Sequence, residues 1–418
     1  MAIIFMNLFL NAFSFYSPYG GNDVEKHGEF GQAYEDRMNN VYPLLDKMNI
    51  DSSGIRIDTV HMGGRAGVNG AMLHERNGTS FYFSMNNSSS SSFIRDMELP
   101  VSTDIMCTDL DARAFVETLL GCRYCAVRLG EEQYLPYGYE KMAASVEGYA
   151  VYENEFALPI VYTYDSFMSQ EEYDSLTAAK KQQALMQVCV LEEDVDGLRR
   201  EKVENLEFSD IRKAVIVDSF SEGIQLDGKK ILVSEAGSSV HVSTDIAECT
   251  ERYLEFQNLW YYDNGSSGST ATDLVITDGQ TQAGFQVRSP SNGQYTGIHD
   301  LMCNLGYREK HEAGYTITFG AAGTYTYDNM EIVDQPMNML EHMAEERRRD
   351  PVQYTVREDC IEVEAQMDTA GIVYVAIPYD KKWKAYVDDS QVVCKRANGF
   401  GIGICVEEGT HKIELRYE

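Results

Sequence analysis

Three consecutive aromatic residues, Trp260, Tyr261 and Tyr262, are the side chains best suited to binding chemistry, and they precede the polar stretch DNGSSGST. A flat ring can stack on the apolar face of a sugar, and polar groups nearby then fix the ligand's orientation. The alternative is the edge of a hydrophobic core, with one or two of the rings buried. The pattern therefore predicts a candidate carbohydrate site and leaves open how many rings reach solvent.

Two pairs of aspartates have spacings found in metal sites. Asp194 and Asp196 lie in EEDVDG, which is too short for an EF-hand loop, since that loop needs a glutamate at position 12. Asp109 and Asp111 in TDLDA resemble a DxD metal–nucleotide pattern, but they also precede an amphipathic run, residues 109–120, where aspartate serves as helix cap and dipole partner. We therefore assign no metal ligand and expect no cofactor.

The other reactive residue types form no catalytic pattern. Cys122 and Cys125 make a CxxC within a predicted strand, where positions three apart face opposite sides, so neither a zinc nor a redox site is favoured. The nine cysteines are scattered and odd in number, unlike a disulfide framework. Because neither HExxH nor GxSxG occurs, no catalytic residue is assigned.

The charge balance argues against whole classes of partner. A formal net charge of −31 repels phosphate backbones, so we expect no nucleic-acid binding. The same charge opposes anionic lipid head groups and anionic cell-wall polymers, unless divalent cations intervene. Hydrophobic residues make up 44% of the chain and tyrosines number 27, a composition typical of ordered, packed domains.

The first 20 residues contain an apolar run from about Ala2 to Phe15, shorter than the ~20 residues that span a bilayer. It has neither a basic n-region nor an A-x-A cleavage site, which argues against a signal peptide. A buried helix, an interfacial anchor and the end of a transmembrane helix remain as alternatives.

Residues 21–205 combine helical and strand patterns and are predicted to form an α+β domain. Apolar residues recur at helical spacing from Gly28 to Met48, and a glycine-rich loop without a P-loop lysine follows at 63–70. Ser169 and Glu172 form a capping box before a long predicted helix that continues to about Leu191.

After about Ile211 the hydrophobic period changes to two. Short strands with polar turns predict a jelly-roll-like β-sandwich over 206–336, a connecting helix over 337–349 and a small β-sandwich over 350–418. The predicted fold class is an α+β N-terminal domain followed by all-β jelly-roll or β-sandwich domains.

Three segments resemble the YfhO family of bacterial membrane proteins: GTSFYFSM at 78–85, GCRYCAVR with VYENEFALPIVYTYD at 121–165, and the tail from 375 to 417. The family's motif positions, which we expect to be structural, are Tyr152, Asn154, Ala157, Leu158, Pro159, Pro378, Tyr379, Trp383 and Asp388. Two residues depart from the family pattern, Lys382 and Asp389, each standing where glycine is usual. Aspartate tolerates the left-handed region, so the turn at 388–390 can still form.

The resemblance implies a C-type glycosyltransferase that uses lipid-linked sugars, with some members acting on lipoteichoic acid. In such proteins the catalytic carboxylates lie in loops between membrane helices, and this sequence contains none of those loops. We therefore expect an extracytoplasmic accessory domain at the cell membrane, whose partners are its own transmembrane domain and a glycan or cell-surface polymer. A freestanding carbohydrate-binding protein and a soluble glycoside hydrolase, which needs two facing carboxylates, are the alternatives.

Overall fold

The computed structural model describes residues 2–17, 19, 45, 54–60, 68–83, 85–101, 103, 105–146, 148–263, 265, 270–357 and 359–418. Apart from residue 45, the predicted helix over 28–48 lies outside these ranges, and so does most of the glycine-rich loop. The helices of the described residues are α1 (Ala2–Tyr16), α2 (Gly70–Leu73), α3 (Ser88–Asp96), α4 (Ala114–Leu119), α5 (Gln170–Asp174), α6 (Ala178–Gln187) and α7 (Leu340–Arg347).

Most of the regular structure is β, as the predicted sandwiches require. The strands before residue 205 are β1 (Arg56–Thr59), β2 (Phe81–Tyr82), β3 (Met106–Cys107), β4 (Cys122–Arg128), β5 (Tyr139–Val146), β6 (Tyr149–Asn154), β7 (Val161–Tyr164), β8 (Ser166–Ser169), β9 (Cys189–Leu191) and β10 (Arg199–Arg200). The next group is β11 (Ile211–Ala214), β12 (Ile216–Phe220), β13 (Ile224–Asp227), β14 (Lys230–Val233), β15 (Ser239–Ser243), β16 (Glu248–Gln257), β17 (Trp260–Tyr262), β18 (Ala271–Thr277), β19 (Gln282–Arg288), β20 (Leu301–Lys310), β21 (Gly314–Phe319), β22 (Gly323–Thr326) and β23 (Asn329–Pro336). The last group is β24 (Val352–Val356), β25 (Cys360–Met367), β26 (Gly371–Val375), β27 (Trp383–Val387), β28 (Ser390–Val392), β29 (Lys395–Ala397), β30 (Gly401–Val406) and β31 (Gly409–Tyr417).

The predicted cap at Ser169 is present, but the helix predicted to follow it is too long. The Ser169 side chain accepts a hydrogen bond from the Glu172 amide, which confirms the capping box. The single helix expected from Ser169 to Leu191 is wrong, because the chain leaves α5 after Asp174 and begins α6 at Ala178. Its last part, Cys189–Leu191, is strand β9, where buried side chains pair with β8 and pack in the core.

Strands β11–β23 form the predicted sandwich around one core. Its sheets have the orders β11-β23-β16-β20, β12-β15-β21-β18-β19 and β13-β14-β22-β17. Strand β18 alternates exposed or half-buried residues with buried ones, so Leu274 and Ile276 face the inside. They pack there with Val240, Leu254 and Ile317.

A seven-stranded mixed sheet joins two segments that are far apart in the sequence. Its order is β10-β8-β9-β29-β30-β26-β7, so three neighbouring strands from 371–406 lie between β9 and β7 of the segment 161–200. Strand β7 pairs antiparallel with β26, and β9 pairs with β29. One hydrophobic core also spans both segments, together with the sheet β24-β25-β31-β27-β28. The segments predicted as separate domains, 21–205 and 350–418, therefore share a sheet and a core.

The β-sandwich is attached to the rest of the chain through α4, α6 and the loop before α4. Ala178 and Ala179 of α6 pack against Tyr253, Met302 and Val333 on the outer face of the sandwich sheet. The buried Glu251 carboxylate accepts from the Ala114 amide at 3.1 Å, so a residue of the sandwich caps helix α4. Tyr253 donates its hydroxyl hydrogen to the same carboxylate.

Replacing Glu251 should change how stability depends on pH. Burial raises the pKa of Glu251 from 4.5 to about 7, against the hydrogen bonds from Tyr253 and Ala114. Because the pKa of Glu251 is higher in the folded than in the unfolded state, its contribution to stability is fully present below pH 4.5. That contribution is lost as the pH rises through about 7. Between pH 4.5 and 7 the wild-type free energy of unfolding should fall by up to about 3 kcal/mol more than that of Glu251→Gln.

Urea unfolding at several pH values measures this difference. The matched control is Glu362→Gln, since Glu362 lies on the surface in an ion pair with Arg357. Burial raises the pKa of Glu98 and of Asp109 to about 7 as well. The free energy of unfolding of Glu251→Gln should therefore still fall with rising pH, but less steeply than that of wild type. Equal slopes in wild type, Glu251→Gln and Glu362→Gln would contradict the prediction.

A search of the described residues finds no helix long and apolar enough to cross a membrane. Helix α1 is apolar along its length and has 15 residues.

Candidate functional site

The three predicted aromatics lie on strand β17 and alternate across the sheet. The strand pairs with β22, so Trp260 and Tyr262 face one side and Tyr261 the other. Trp260 is half-buried and the side chain of Tyr262 is 41% exposed. Tyr261 is fully buried, where it packs on Tyr325 with ring centroids 4.9 Å apart and donates its hydroxyl hydrogen to the Ala322 carbonyl. Tyr261 is therefore a core residue and cannot offer its ring to a ligand.

The outward rings form a row with two residues from a loop that is distant in sequence. The planes of Trp260 and Tyr262 are 3° apart and their centroids 5.9 Å apart. His299 stacks on Trp260 with centroids 3.7 Å apart and planes at 21°. The Tyr295 ring lies 6.4 Å from that of Trp260. We call Trp260, Tyr262, Tyr295 and His299 the aromatic row.

Hydrogen bonds fix the orientation of His299. Its Nδ1 lies 2.9 Å from the Leu259 carbonyl, which can only accept, so Nδ1 carries the hydrogen. The other nitrogen, Nε2, then accepts from the Tyr295 hydroxyl at 2.7 Å. The imidazole is thus held in one tautomer against one side of the Trp260 ring, which leaves fewer rotamers for the indole.

Polar groups surround the row. The Trp260 indole Nε1 donates to Asn258 Oδ1 at 2.6 Å, and Asn258 is anchored in turn by Asp300 and Asp328. Hydroxyls of Ser291 and Ser289 hold the pKa of Asp263, at the end of β17, below its usual value. Fixed rings beside amide and carboxylate oxygens match the two sides of a sugar, its apolar C–H face and its hydroxyl groups.

Sequence patterns did not indicate the other members of this row. Tyr295 and His299 lie in an irregular segment between β19 and β20, where no periodicity predicts which side chains face β17. Asn258 has a φ of 54°, a left-handed conformation that asparagine adopts more readily than most residues. An asparagine two positions before Trp260 is compatible with a tight turn, but it does not predict that Tyr295 and His299 lie beside the indole.

Asp109 and Asp111 shape a loop and do not cap a helix, contrary to the prediction. Helix α4 begins later, with Arg113 as N-cap, and the Arg113 side chain makes no capping hydrogen bond. The reason is the left-handed φ of Asp111 and Ala112, 59° and 49°, which no helix accommodates. Asp109 accepts from the Asp111 amide, while Asp111 accepts from Arg113 and from the Asn304 amide.

A cavity of about 530 Å³ beside this loop bears on the hydrolase alternative. Its walls include four aspartates: Asp109, Asp111, Asp273 and Asp278. All of them accept hydrogen bonds from nearby groups of the protein. These bonds give Asp109, Asp111 and Asp278 a role in loops, and Asp273 a cross-strand bond from Gln286, so we assign no hydrolytic pair to the four.

The remaining candidate metal ligands and thiols are not grouped into a site among the described residues. Asp194 pairs with Arg200 at 2.9 Å on the surface. Cys122 and Cys125 are both buried within β4, and burial raises the pKa of each thiol well above its usual value. Over the described part of the chain, no cluster of three or more histidine, cysteine or acidic residues is arranged to hold a metal ion.

Several family-motif residues form hydrogen bonds or packing contacts between neighbouring elements. Asn154 donates to the Cys122 carbonyl and accepts from the Phe156 amide, while Tyr152 and Leu158 are buried and Pro159 is half-buried. The Tyr379 carbonyl, next to half-buried Pro378, accepts from Asn87 and Ser89 at the start of α3. Trp383 packs edge-on against Tyr417.

Asp388 and the neighbouring Asp389 form the predicted non-glycine turn. Both residues adopt a left-handed φ, 48° and 66°. Asp388 also accepts from the Lys412 amide and bonds to His411, which ties the turn to β31. The prediction that aspartate can stand in this turn is confirmed.

Comparison with known proteins gives one family. The family described as "Bacterial membrane protein YfhO" matches residues 1–418. The Bacillus subtilis (strain 168) protein described as "Uncharacterized protein YfhO" is 23% identical over 430 residues, which cover 99% of this chain and 47% of that protein. The chain therefore spans about half the length of the curated relative that it matches.

Similarities to solved structures are weak. The C-terminal CBM6 of LamC, a laminarinase from Zobellia galactanivorans, is 11% identical and covers 30% of this chain and 100% of its own, at a TM-score of 0.21. The Gap123 glycosylation-associated complex from Streptococcus agalactiae is 8% identical, covers 47% and 43%, and has a TM-score of 0.22. A mutant of the mycobacterial arabinofuranosyltransferase AftD is 9% identical, covers 83% and 39%, and has a TM-score of 0.24. TM-scores this low do not establish a shared fold.

Proposed function

The chain belongs to the YfhO family of bacterial membrane proteins, and we propose that it forms an extracytoplasmic accessory domain of a membrane glycosyltransferase. In this role it binds a glycan, or a cell-surface polymer of the lipoteichoic-acid type, for the membrane-embedded part of the protein to modify. Catalysis is assigned to that part, and no catalytic residue is assigned here.

The observation that carries the proposal is the aromatic row. Trp260 and Tyr262 carry nearly parallel rings on the outside of a β-sandwich, and His299 and Tyr295 hold the first of them in place. Such rings bind the C–H face of a pyranose by stacking, a contact that does not depend on the charge of the ligand. A chain with a net charge of −31 can therefore hold a neutral sugar while repelling anionic groups elsewhere on its surface.

A glycan array of hexose and N-acetylhexosamine oligosaccharides tests the binding part of the proposal. The wild-type 418-residue chain should bind a subset of the sugars, and Tyr262→Ala should lose that signal. The control is Tyr417→Ala, because Tyr417 is a similarly exposed tyrosine on the small C-terminal sheet. An array with no signal, or equal signals for both variants, would remove the support for a glycan site.

Thiol labelling tests the location. Cys249 is exposed, whereas the other eight cysteines are buried or half-buried. In intact cells that express the protein from its own gene, a membrane-impermeant maleimide should label it, and Cys249→Ser should abolish most of the label. Labelling that appears only after lysis would place these residues on the other side of the membrane. Release of labelled protein into the medium would favour a freestanding binding protein.

A further inference from the structure

Asn258, Asp300 and Asp328 lie together at one end of the sheet β11-β23-β16-β20. Strand β16 lies between β23 and β20 and runs antiparallel to both. Asn258 directly follows β16, whereas Asp300 directly precedes β20 and Asp328 directly precedes β23. In an antiparallel pair the start of one strand lies beside the end of its neighbour, so the sheet itself brings the three residues together. We call them the polar clamp.

Hydrogen bonds hold Asn258 from two sides. Asp300 Oδ1 accepts from the Asn258 backbone amide at 2.8 Å, and Asp328 Oδ2 accepts from Asn258 Nδ2 at 2.9 Å. Asp328 is itself fixed, because its amide donates to the Gln257 carbonyl at 2.9 Å. The other polar atom of the Asn258 side chain, Oδ1, accepts from Trp260 Nε1 at 2.6 Å. Both polar atoms of this side chain are therefore bonded, one to the clamp and one to the indole.

The residue between Asn258 and Trp260 connects the same turn to His299. The Leu259 amide donates to the His299 carbonyl at 2.8 Å, and His299 Nδ1 donates to the Leu259 carbonyl at 2.9 Å. The indole and the imidazole stack with ring centroids 3.7 Å apart. One turn, residues 258–259, therefore orients both rings of the stacked pair.

The shape of this turn does not by itself require asparagine. The φ of Asn258 is 54°, a region that glycine adopts without the steric cost of a Cβ atom. Asn258 is exposed, so its side chain is not needed to fill a core. What the asparagine side chain adds to the turn is the acceptor for the indole and the bond to Asp328.

We propose that Asn258 is a positioning residue of the glycan site, held in place by Asp300 and Asp328; this inference rests on the glycan role proposed above. An indole has a single N–H donor, and that of Trp260 is already bonded to Asn258. Trp260 therefore offers a ligand its ring face and no hydrogen bond. A ring that is oriented before the ligand arrives loses less conformational freedom on binding, which favours affinity.

Asn258→Gly in the Trp383→Phe background separates positioning from folding. The melting temperature should stay within about 3 °C of the parent, because glycine suits the turn. Affinity for the glycan selected on the array should fall about fivefold, the effect of one lost hydrogen bond. Without any glycan, Trp260 emission should shift and acrylamide should quench it more strongly. Asn69→Gly is the matched control, since Asn69 has a φ of 60° and lies outside the row.

Exchanging two side chains of the clamp provides a rescue. Asn258→Asp places two carboxylates in contact, where Asn258 Nδ2 and Asp328 Oδ2 are now 2.9 Å apart, and should weaken glycan binding. Adding Asp328→Asn reverses that hydrogen bond and keeps an acceptor for the indole. The double variant should therefore recover most of the affinity that Asn258→Asp loses.

Equal Trp260 emission and quenching in Asn258→Gly and Asn69→Gly would overturn the proposal. A double variant that binds as weakly as Asn258→Asp would overturn it too. The emission measurements need no ligand, so they separate this proposal from the glycan role. An array without binders removes the glycan role, whereas an unchanged emission in Asn258→Gly removes the positioning role.

Discussion

Replacing Arg113 with methionine should lower the free energy of unfolding by about 3–5 kcal/mol, the cost of breaking a buried ion pair from one side. Arg113 is fully buried, and its guanidinium donates to Asp111 and to the carbonyls of Met97, Glu98 and Met302. The first two carbonyls follow α3 and the third belongs to β20 of the sandwich. One side chain therefore connects the N-terminal helices with the sandwich, and its loss leaves three carbonyls without that donor and one carboxylate without its cation.

Urea denaturation followed by circular dichroism measures this effect. Arg416→Met is the matched control, because Arg416 has a half-exposed side chain that pairs with Glu414, and it should change stability by less than about 1 kcal/mol. Asp111→Asn in the Arg113→Met background should recover part of the loss, since the buried carboxylate then no longer needs a cation. A loss under about 1 kcal/mol for Arg113→Met would show that other contacts hold the N-terminal helices against the sandwich.

Truncating Trp260 should weaken binding of any glycan selected on the array by roughly 30-fold, about 2 kcal/mol, as expected for a central aromatic contact. The indole carries the largest ring of the row, and His299 fixes it before the ligand arrives. His299→Ala should give a smaller loss, because it removes the support for the indole and leaves the indole itself.

Isothermal titration with the selected oligosaccharide gives these affinities. Trp383→Phe serves as the control for loss of a tryptophan, since Trp383 packs on Tyr417 in the C-terminal sheet and lies outside the row. Its affinity should equal that of wild type. If Trp260→Ala and Trp383→Phe bind equally well, the row is not the glycan site.

Local patterns predicted the elements well, because caps and alternation are short-range effects. The Ser169 capping box and the left-handed Asp388–Asp389 turn are both present as predicted. The length of the helix after Ser169 was wrong because residues 189–191 gain more by pairing with β8 than by continuing the helix. The family resemblance, based on three short motifs, is confirmed over the whole chain.

Long-range arrangements were beyond the sequence patterns. The seven-stranded sheet brings β7 beside β26, about 200 residues away, and the pattern of either strand is compatible with many neighbours. The aromatic row was predicted only in part for the same reason, since His299 reaches Trp260 from a loop without periodicity.

Trp260 fluorescence is the most direct test of the proposed glycan role. The chain has two tryptophans, so in Trp383→Phe the tryptophan emission, excited at a wavelength that tyrosine does not absorb, comes from Trp260 alone. Titration of this variant with the oligosaccharide selected on the array should give a saturable change in Trp260 emission, with the dissociation constant found by calorimetry, and Tyr262→Ala should shift the curve to higher concentrations. Calorimetric binding with no change in Trp260 emission would contradict the account, because the glycan would then bind away from the aromatic row.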